Sequence, residues 1–257
     1  MRTISFFNEK GGVGKSLHTI LFASWLQYSE RARVAVFDLE CPTTRLDLIR
    51  RQELNLLEDP NSTLSRFIKK NPGTTGYPYD IFTKAERLRS FSRESLYLLQ
   101  KELWSFLREN NGTYDYVLFD FPGILTADSP AYGAIASGMV DLIVIPVDTD
   151  NITRKSALLT ARMALDNEQR AVVFWNNVSP GEIARVGYLD SGERIFRERG
   201  IEVLPYRIRS FQKARRDSDE QLFVRSTLCW PARYVDLACP DLVPSYRTIR
   251  GLLDSEG

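Results

Sequence analysis

Residues 8–16 of the chain read Asn-Glu-Lys-Gly-Gly-Val-Gly-Lys-Ser, and this glycine-rich stretch decides the fold. An apolar run at residues 4–7 precedes it, and apolar residues recur at helical spacing from Leu17 to Trp25 after it. Strand, glycine loop and helix in this order are the context expected of a phosphate-binding loop. The glycines allow main-chain N–H groups to turn toward an anion, and the N-terminus of the following helix adds the positive end of its dipole.

Two side chains of this loop carry the chemistry. Lys15 is expected to reach the β- and γ-phosphates of a nucleotide, and the Ser16 hydroxyl is expected to bind Mg²⁺. The ordinary phosphate-loop pattern has a glycine at the position of Glu9, so the match to that pattern is partial. The predicted nucleotide contacts in the loop are Gly11, Gly12, Val13, Gly14, Lys15, Ser16 and Leu17.

The composition favours a soluble globular protein. The chain has 257 residues and a net charge of +1, and we expect a single domain over residues 1–257. Because the net charge is near zero, any contact with nucleic acid has to come from a local patch. The three cysteines are scattered and His18 is the single histidine, so we expect neither disulfides nor a zinc site, and a cytoplasmic location. We expect no signal peptide and no membrane association.

Short apolar runs alternate with helix-length segments along the chain. The predicted strands are residues 4–7, 34–37, 116–120, 142–147, 171–175 and 201–206. Runs that are apolar at every position suit a sheet covered on both faces by helices. A helix is expected to start at Thr63, and another is expected over residues 93–108. We therefore predict an α/β fold with a doubly wound, mostly parallel sheet and helices on both faces.

Acidic residues stand where two of these strands end. Asp38 ends the second predicted strand with Glu40 two residues on, and Asp120 ends the third. In open α/β sheets, ligands bind at the carboxyl ends of the strands. A strand that ends in Asp beside a phosphate loop is typical of the Walker B carboxylate, which holds Mg²⁺. The predicted metal-binding residues are Ser16, Asp38 and Asp120.

The loop, read from Lys10 as Lys-Gly-Gly-Val-Gly-Lys-Ser, resembles the deviant Walker A signature of the ParA/MinD family of ATPases. The resemblance extends over residues 3 to about 214 and is greatest to the ParA-type partition ATPases. Residues 37–40 are similar to the family's second acidic motif, with Glu40 in place of the usual second Asp. Residues 119–123 look like its Asp-x-Pro-Pro motif with the second proline lost. The resemblance implies a P-loop fold that binds and hydrolyses ATP with Mg²⁺.

The resemblance also implies the catalytic residues, which are Lys10, Lys15, Asp38 and Glu40. Lys10 is implied to cross a face-to-face dimer and to contact the partner's nucleotide, as a cationic finger supplied in trans. The position of Glu40 is implicated in orienting the attacking water. Because Glu is longer than Asp by one methylene, hydrolysis is expected to be slow.

The residues after the fifth predicted strand favour ATP over GTP. A GTPase requires Asn-Lys-x-Asp there, whereas residues 176–179 read Asn-Asn-Val-Ser. An Asn amide can accept from N6 of adenine and donate to N1. The family's base-reading Asn aligns with Asn176, and Pro205 resembles the residue that frames adenine on its other side.

A cluster of cations after the last predicted strand is the candidate DNA-binding patch. It consists of Arg207, Arg209, Lys213, Arg215 and Arg216. The alternative is a solvated helix face balanced by Asp217, Asp219 and Glu220. Contacts of Arg and Lys with phosphates carry no base information, so non-specific DNA binding is expected.

The resemblance as a whole implies a switch that forms a homodimer with ATP and partitions or positions DNA on a plasmid, chromosome or mobile element. A partner protein that stimulates hydrolysis and a nucleoid-associated location are also implied. Two alternatives remain open. One is an ATP-dependent dimer that recruits a protein and hydrolyses little ATP, because of Glu40. The other is an ATP-dependent small-molecule ligase on the same fold.

Overall fold

One parallel sheet organises the part of the chain that the computed structural model describes, which is residues 1–40, 45–72, 75–83, 93–184, 187–209 and 225–255. Its seven strands are β1 Arg2–Phe6, β2 Val34–Asp38, β3 Asp80–Thr83, β4 Tyr116–Asp120, β5 Leu142–Val147, β6 Arg170–Val178 and β7 Glu202–Arg209.

The strand order is β3-β2-β4-β1-β5-β6-β7, and every pairing is parallel. From β1 the chain first builds one half of the sheet with β2, β3 and β4, and then the other half with β5, β6 and β7. The reversal of strand order therefore lies at β1. Ligands of doubly wound sheets bind outside the carboxyl ends of the strands at such a point, and the glycine loop follows β1 directly.

Helices connect the strands. They are α1 Lys15–Ser24 with a π-helical continuation over Trp25–Ser29, α2 Arg45–Glu58, α3 Thr63–Lys70, α4 Arg93–Glu109, α5 Pro130–Ala136, α6 Asn151–Asp166, α7 Pro180–Ala184, α8 Tyr188–Arg197, α9 Ala232–Ala238 and α10 Leu242–Asp254. None of the described helices is long and apolar enough to cross a membrane.

The sheet separates two hydrophobic cores. In β2, Val34 and Val36 pack into one core with residues of α1, α2 and α10, while Ala35 and Phe37 pack into the other with residues of α4, α5 and α6. Since alternate strand residues face opposite sides, both sets are buried only because helices cover both faces. The predicted α/β fold, doubly wound with helices on both faces, is confirmed.

The six predicted strands are present, with corrected bounds. β6 runs on to Val178, so Asn176 lies within a strand; β7 runs on to Arg209, so Arg207 and Arg209 lie in the last strand rather than after it. The strand β3 was not predicted, because at the sheet edge its residues are only exposed or half-buried and form no continuous apolar run. The predicted start at Thr63 is confirmed, with the Ser62 hydroxyl accepting from the Ser65 N–H.

Candidate nucleotide-binding site

Glycine conformation shapes the loop between β1 and α1. Gly12 and Gly14 have φ angles of 79° and 98°, in the left-handed region that favours glycine. Gly14 is further constrained by space, since a Cβ there would lie 2.6 Å from Nδ2 of Asn176. A side chain at residue 14 would therefore displace Asn176.

The first residue of the loop, Asn8, is its anchor. Asn8 is fully buried, and its amide donates to the Pro146 carbonyl of β5 at 2.9 Å. Its Oδ1 accepts from the Ser156 hydroxyl of α6 at 2.6 Å and from the Lys10 N–H at 3.1 Å. The sequence assigned no role to Asn8 or Ser156. Their contacts fix the entry of the loop against β5 and α6.

Lys15 points into the interior of the site. Its side chain is buried, and Nζ donates to the main-chain carbonyl of Lys10 at 3.0 Å. Burial lowers the pKa of Lys15, while the negative charges of Asp120 and Glu40 oppose that change. A Cβ on Gly123 would lie 2.8 Å from Nζ, so the glycine of the 119–123 motif leaves room for this ammonium. The side chain of Lys10, in contrast, is exposed.

The two strand-end aspartates differ in what they contact. Asp38 accepts from the N–H groups of Leu46 and Asp47 at 2.9 and 3.3 Å, so it holds the N-terminus of α2. Both carboxylate oxygens of Asp120 are buried, and neither has a hydrogen-bond partner among the described residues. Burial raises the pKa of Asp120 to about 8, and that of Asp38 to about 6. Of the two aspartates, Asp120 is therefore the one whose oxygens are free to bind a ligand.

These residues fit a magnesium ion that is bound partly by the protein and partly by the phosphates of a nucleotide. The described residues contain no cluster of three or more His, Cys, Asp or Glu side chains that could hold a metal alone. Mg²⁺ normally keeps waters and binds one or two carboxylates together with substrate phosphates. The Asp120 oxygens, which have no hydrogen-bond partner among the described residues, and the hydroxyl of Ser16 match this smaller requirement.

Glu40 contacts two residues of the site. The Ser16 hydroxyl donates to Oε2 of Glu40 at 3.3 Å, and Nε of Arg45 lies 3.4 Å from the same oxygen. Arg45, which is at the first position of α2, was not among the predicted site residues. The carboxylate of Glu40 thus lies between the predicted metal ligand Ser16 and the guanidinium group of Arg45.

A cavity of about 450 Å³ collects these groups. Its described lining includes the predicted residues Gly11, Gly12, Gly14, Lys15, Ser16, Leu17, Glu40 and Asn176. It also includes Ile20, Arg45, Ile49, Gly123, Asn177 and Arg225, which were not predicted. Pro205 lies exposed in β7, and neither Pro205 nor Lys10 is among the described lining residues.

Asn176 holds the loop as well as lining the cavity. Its amide donates to the Val13 carbonyl at 2.7 Å. Next to it, His18 is buried, and its Nδ1 lies 2.9 Å from the hydroxyl of Tyr246 in α10. Burial lowers the pKa of His18 to about 4, so this histidine is neutral at physiological pH. Its ring packs against Phe6 and Phe174 in the core behind the loop.

The predicted DNA-binding residues divide into three groups. Arg207 lies 3.1 Å from both Asp190 and Glu193 of α8, so it is paired within the protein. Arg209 ends β7 and is exposed. Lys213, Arg215 and Arg216 lie outside the described residues.

Comparisons with solved structures agree with this architecture. The chain is similar to the MinC:MinD cell division protein complex of Aquifex aeolicus, with 18% identity, a TM-score of 0.63, and 98% of this chain and 96% of that chain covered. A variant of McdA from Cyanothece in complex with ATP gives 17% identity and a TM-score of 0.65, with 98% and 96% covered. A plasmid partition protein from Borrelia burgdorferi bound to AMPPNP gives 16% identity and a TM-score of 0.54, with 86% and 94% covered.

Sequence comparison gives the family. No curated protein matches the chain significantly. The family model described as AAA domain matches residues 1–158, which is more than half of the chain. The chain belongs to this AAA-domain family, and the assignment to the ParA/MinD group of P-loop proteins made from the loop signature is confirmed.

Proposed function

We propose that this protein binds MgATP, dimerises on it and hydrolyses it slowly, and that the switch partitions or positions DNA. The observation that carries the proposal is the pair of buried, opposite charges at the loop. Lys15 is buried with no carboxylate bound to it directly, and Asp120 is buried with both oxygens unpartnered among the described residues. Such groups are costly to bury unless a ligand compensates them. A triphosphate with a divalent cation compensates both groups, since the phosphates bind the ammonium of Lys15 and the cation binds the carboxylate of Asp120.

Each loop residue then has a defined task. Lys15 and the N–H groups of residues 11–16 bind the β- and γ-phosphates. Ser16 and Asp120 hold Mg²⁺, and Asp38 positions the start of α2. When bound, the cation offsets the negative charge that develops on the phosphate oxygens. Glu40 orients the attacking water, for which its carboxylate has to leave Ser16.

In the proposed dimer, Lys10 contacts the nucleotide of the partner copy. Lys10 is exposed, and its N–H donates to Asn8 and Ser156, so its backbone is fixed while its side chain is directed outward. A fixed backbone with an outward cation suits a group that acts on the nucleotide of a partner copy. The solved MinD and McdA structures, which are complexes with MinC and with ATP, support a nucleotide-dependent switch with a protein partner.

DNA is the proposed cargo, with the patch formed by Arg209, Lys213, Arg215 and Arg216. Arg207 contributes less than the sequence indicated, because Asp190 and Glu193 already pair with it. This pairing favours a second candidate function, in which the ATP dimer recruits a protein and does not bind DNA directly. Stimulation of hydrolysis by DNA discriminates between the two.

The test is ATP binding and turnover by the purified chain. Calorimetry with ATP and Mg²⁺ is expected to give saturable binding, and phosphate release is expected to be slow. The matched control is Lys15→Ala, which removes the charge nearest the phosphates and is expected to bind neither ATP nor ADP. Unchanged ATP affinity in Lys15→Ala contradicts the assignment of the loop.

A further inference from the structure

Helix α4 carries a groove that the nucleotide site does not use. The groove has a volume of about 320 Å³, and its described lining consists of Tyr97, Gln100, Lys101, Trp104 and Arg108. None of these residues belongs to the described lining of the nucleotide cavity. The groove is therefore a second concave surface, separate from the phosphate loop.

The two aromatic side chains of the groove are exposed, although the helix is held on the sheet by other residues. Tyr97 is 66% exposed and Trp104 is 37% exposed. The core face of α4 is formed by four buried leucines, which are Leu96, Leu99, Leu103 and Leu107. Aromatic residues are enriched in protein interfaces, and Trp, Tyr and Arg are the residues whose truncation most often weakens binding. The exposed aromatics therefore favour a contact surface.

The groove residues repeat along the helix. Lys101 follows Tyr97 by four positions, and Arg108 follows Trp104 by four positions. An aromatic residue and a cation thus recur after seven residues. Seven residues make about two helical turns, so both pairs lie on one side of α4, about 10.5 Å apart along its axis.

The two cations of the groove have no acidic neighbour on their own helix. The residues three and four positions away from Lys101 and from Arg108 are all uncharged. Neither cation forms an ion pair with another described residue, and the described lining of the groove contains no carboxylate. A ligand with carboxylates would complement this charge.

Packing against neighbouring elements fixes the groove in place. Gln100 lies so close to Gly133 of α5 that a side chain at residue 133 would clash with the Gln100 amide. Toward the end of α4, the rings of Phe106 and Tyr114 stack with centroids 5.8 Å apart, and Tyr114 directly precedes β4. The end of α4 therefore lies at the amino ends of the strands, away from the phosphate loop. Binding in a preformed groove avoids the cost of ordering it.

We propose that this groove binds an acidic amphipathic helix of a partner protein, which lies along α4 and places carboxylates against Lys101 and Arg108. A helix presents equivalent side chains every seven residues, so its repeat matches that of the groove. An extended strand advances about 10.5 Å in three residues, and residues three apart point to opposite sides of a strand. The inference goes beyond the proposed function and does not depend on ATP binding.

Duplex DNA fits the groove less well than an acidic helix. The electrostatic part of DNA binding scales with the number of phosphates that are neutralised. The described lining offers two cations, Lys101 and Arg108, and therefore neutralises at most two phosphates.

The experiment selects binders from a displayed library of helical peptides of about 20 residues, a length at which an isolated helix can form. Selection uses the full chain without nucleotide, and each recovered peptide is then measured against Trp104→Ala. We expect peptides that carry Asp or Glu at positions seven apart with apolar residues between them. Their affinity is expected to fall at least about 30-fold in Trp104→Ala, as for a hot-spot residue.

The matched control is Tyr77→Ala, which removes another exposed aromatic side chain. Tyr77 is 92% exposed, and its carbonyl accepts from Gln27 in the π-helical continuation of α1, which packs into the core on the other face of the sheet. Peptide affinity is expected to be unchanged in Tyr77→Ala.

An exchange of charge tests whether the carboxylates of the peptide meet the cations of the groove. Lys101→Glu is expected to weaken binding of a selected peptide at least about tenfold. A peptide with Lys in place of the facing Glu is expected to bind Lys101→Glu more tightly than it binds the wild type. The control Lys69→Glu makes the same change at an exposed position of α3 and is expected to have no effect.

Three results would overturn the inference. They are recovery of no peptide that depends on Trp104, recovery of Trp104-dependent peptides that are not acidic, and binding of random duplex DNA that is lost in Lys101→Glu. A thermal melt verifies that each variant is folded, and the exchange of charge at Lys101 decides if Trp104→Ala is not. Lys15→Ala is expected to bind the peptides as the wild type does, so failure of ATP binding and failure of this inference are distinguishable.

Discussion

The ammonium of Lys15 donates to the main-chain carbonyl of Lys10 at 3.0 Å, so the side chain of one signature lysine is hydrogen-bonded to the main chain of the other. Their side chains nevertheless face opposite environments. Lys15 is 7% exposed and faces the cavity, while the side chain of Lys10 is exposed to solvent. The proposed function assigns a separate task to each lysine, binding of the chain's own nucleotide to Lys15 and contact with a partner's nucleotide to Lys10.

The first prediction follows from this separation. Lys10→Ala is expected to bind ATP with an affinity close to that of the wild type, because the Lys10 carbonyl that accepts from Lys15 is retained. Hydrolysis is expected to be lost, and a cationic finger contributes roughly 10³ to 10⁵ in rate, with a smaller factor expected for a slow enzyme. Phosphate release and calorimetry on the same preparation measure both. Normal turnover in Lys10→Ala removes the in-trans role.

The second prediction concerns Glu40, which is expected to set the hydrolysis rate and leave ATP affinity unchanged. Glu40→Ala is expected to lower kcat by roughly 10² to 10⁴, the range of positioned acid–base groups. Glu40→Asp, with the residue usual in the family, is expected to retain turnover. Single-turnover kinetics at saturating ATP give the comparison.

Arg45→Gln is the comparison for Glu40, because it removes the ion pair to that residue and keeps the Glu40 carboxylate. The Arg45 side chain is 63% exposed, and exposed pairs contribute little, so its rate is expected to stay within about twofold. An unchanged rate in Glu40→Ala would exclude Glu40 from the mechanism and direct attention to Asp38.

The third prediction is a pH dependence of stability in the ligand-free protein. Burial raises the pKa of Asp120 to about 8, so the folded state binds this proton more tightly than the unfolded state. The stabilisation is complete at low pH and is lost as the pH rises toward 8. The free energy of unfolding is expected to fall by about 2 kcal/mol between pH 6.5 and 8.

That pH window separates Asp120 from Asp38, Glu53 and His18. Asp38 and Glu53 have pKa values raised to about 6, so most of their effect occurs at lower pH. The pKa of His18 is lowered to about 4, and its contribution is lost only as the pH falls below 6.5. Urea unfolding at both pH values, with Asp120→Asn as control, measures the effect. The same decline in Asp120→Asn would show that another group is responsible.

The candidate site residues that could be predicted are those marked by a motif within a short stretch of the sequence. The phosphate loop, Asp38 and Asp120 each combine a residue type with a position next to an apolar run, and all three lie at the carboxyl ends of neighbouring strands. The contact between Ser156 and Asn8 could not be predicted in this way, because 148 residues separate its partners. No periodicity or motif reports such a pairing.

Asn177 and Arg207 show two other limits. Asn177 lies in the cavity wall at a point where β6 has a left-handed φ and a register shift against β7, and neither feature can be read from the sequence. Arg207 was assigned to a free cationic patch, but two acidic residues of α8 lie beside it in the fold. Charge counted along the sequence does not report which charges are already paired in space.

The fourth prediction concerns DNA. Arg215→Glu with Arg216→Glu is expected to abolish ATP-dependent binding to random duplex DNA, because each phosphate contact contributes about −0.9 to the salt slope. Two patches in an ATP dimer are expected to steepen that slope relative to ADP. The control is Arg108→Glu with Arg233→Glu, the same change of charge at exposed positions of α4 and α9. Mobility-shift binding across a salt series gives the slopes.

An equal loss in the control pair would mean that general charge, and not this patch, governs binding. Absence of binding by the wild type in any nucleotide state at low salt would favour the protein-recruiting switch.

The central claim, that ATP controls association of two copies, is tested most directly by light scattering with ATP and with ADP in the presence of Mg²⁺. Glu40→Ala is the form to measure, because slow hydrolysis preserves the ATP state. The monomer mass is 29.5 kDa. We predict twice that mass with ATP, the monomer mass with ADP, and the monomer mass in both states for Glu40→Ala combined with Lys10→Ala. A single mass that does not change between ATP and ADP in Glu40→Ala contradicts the account.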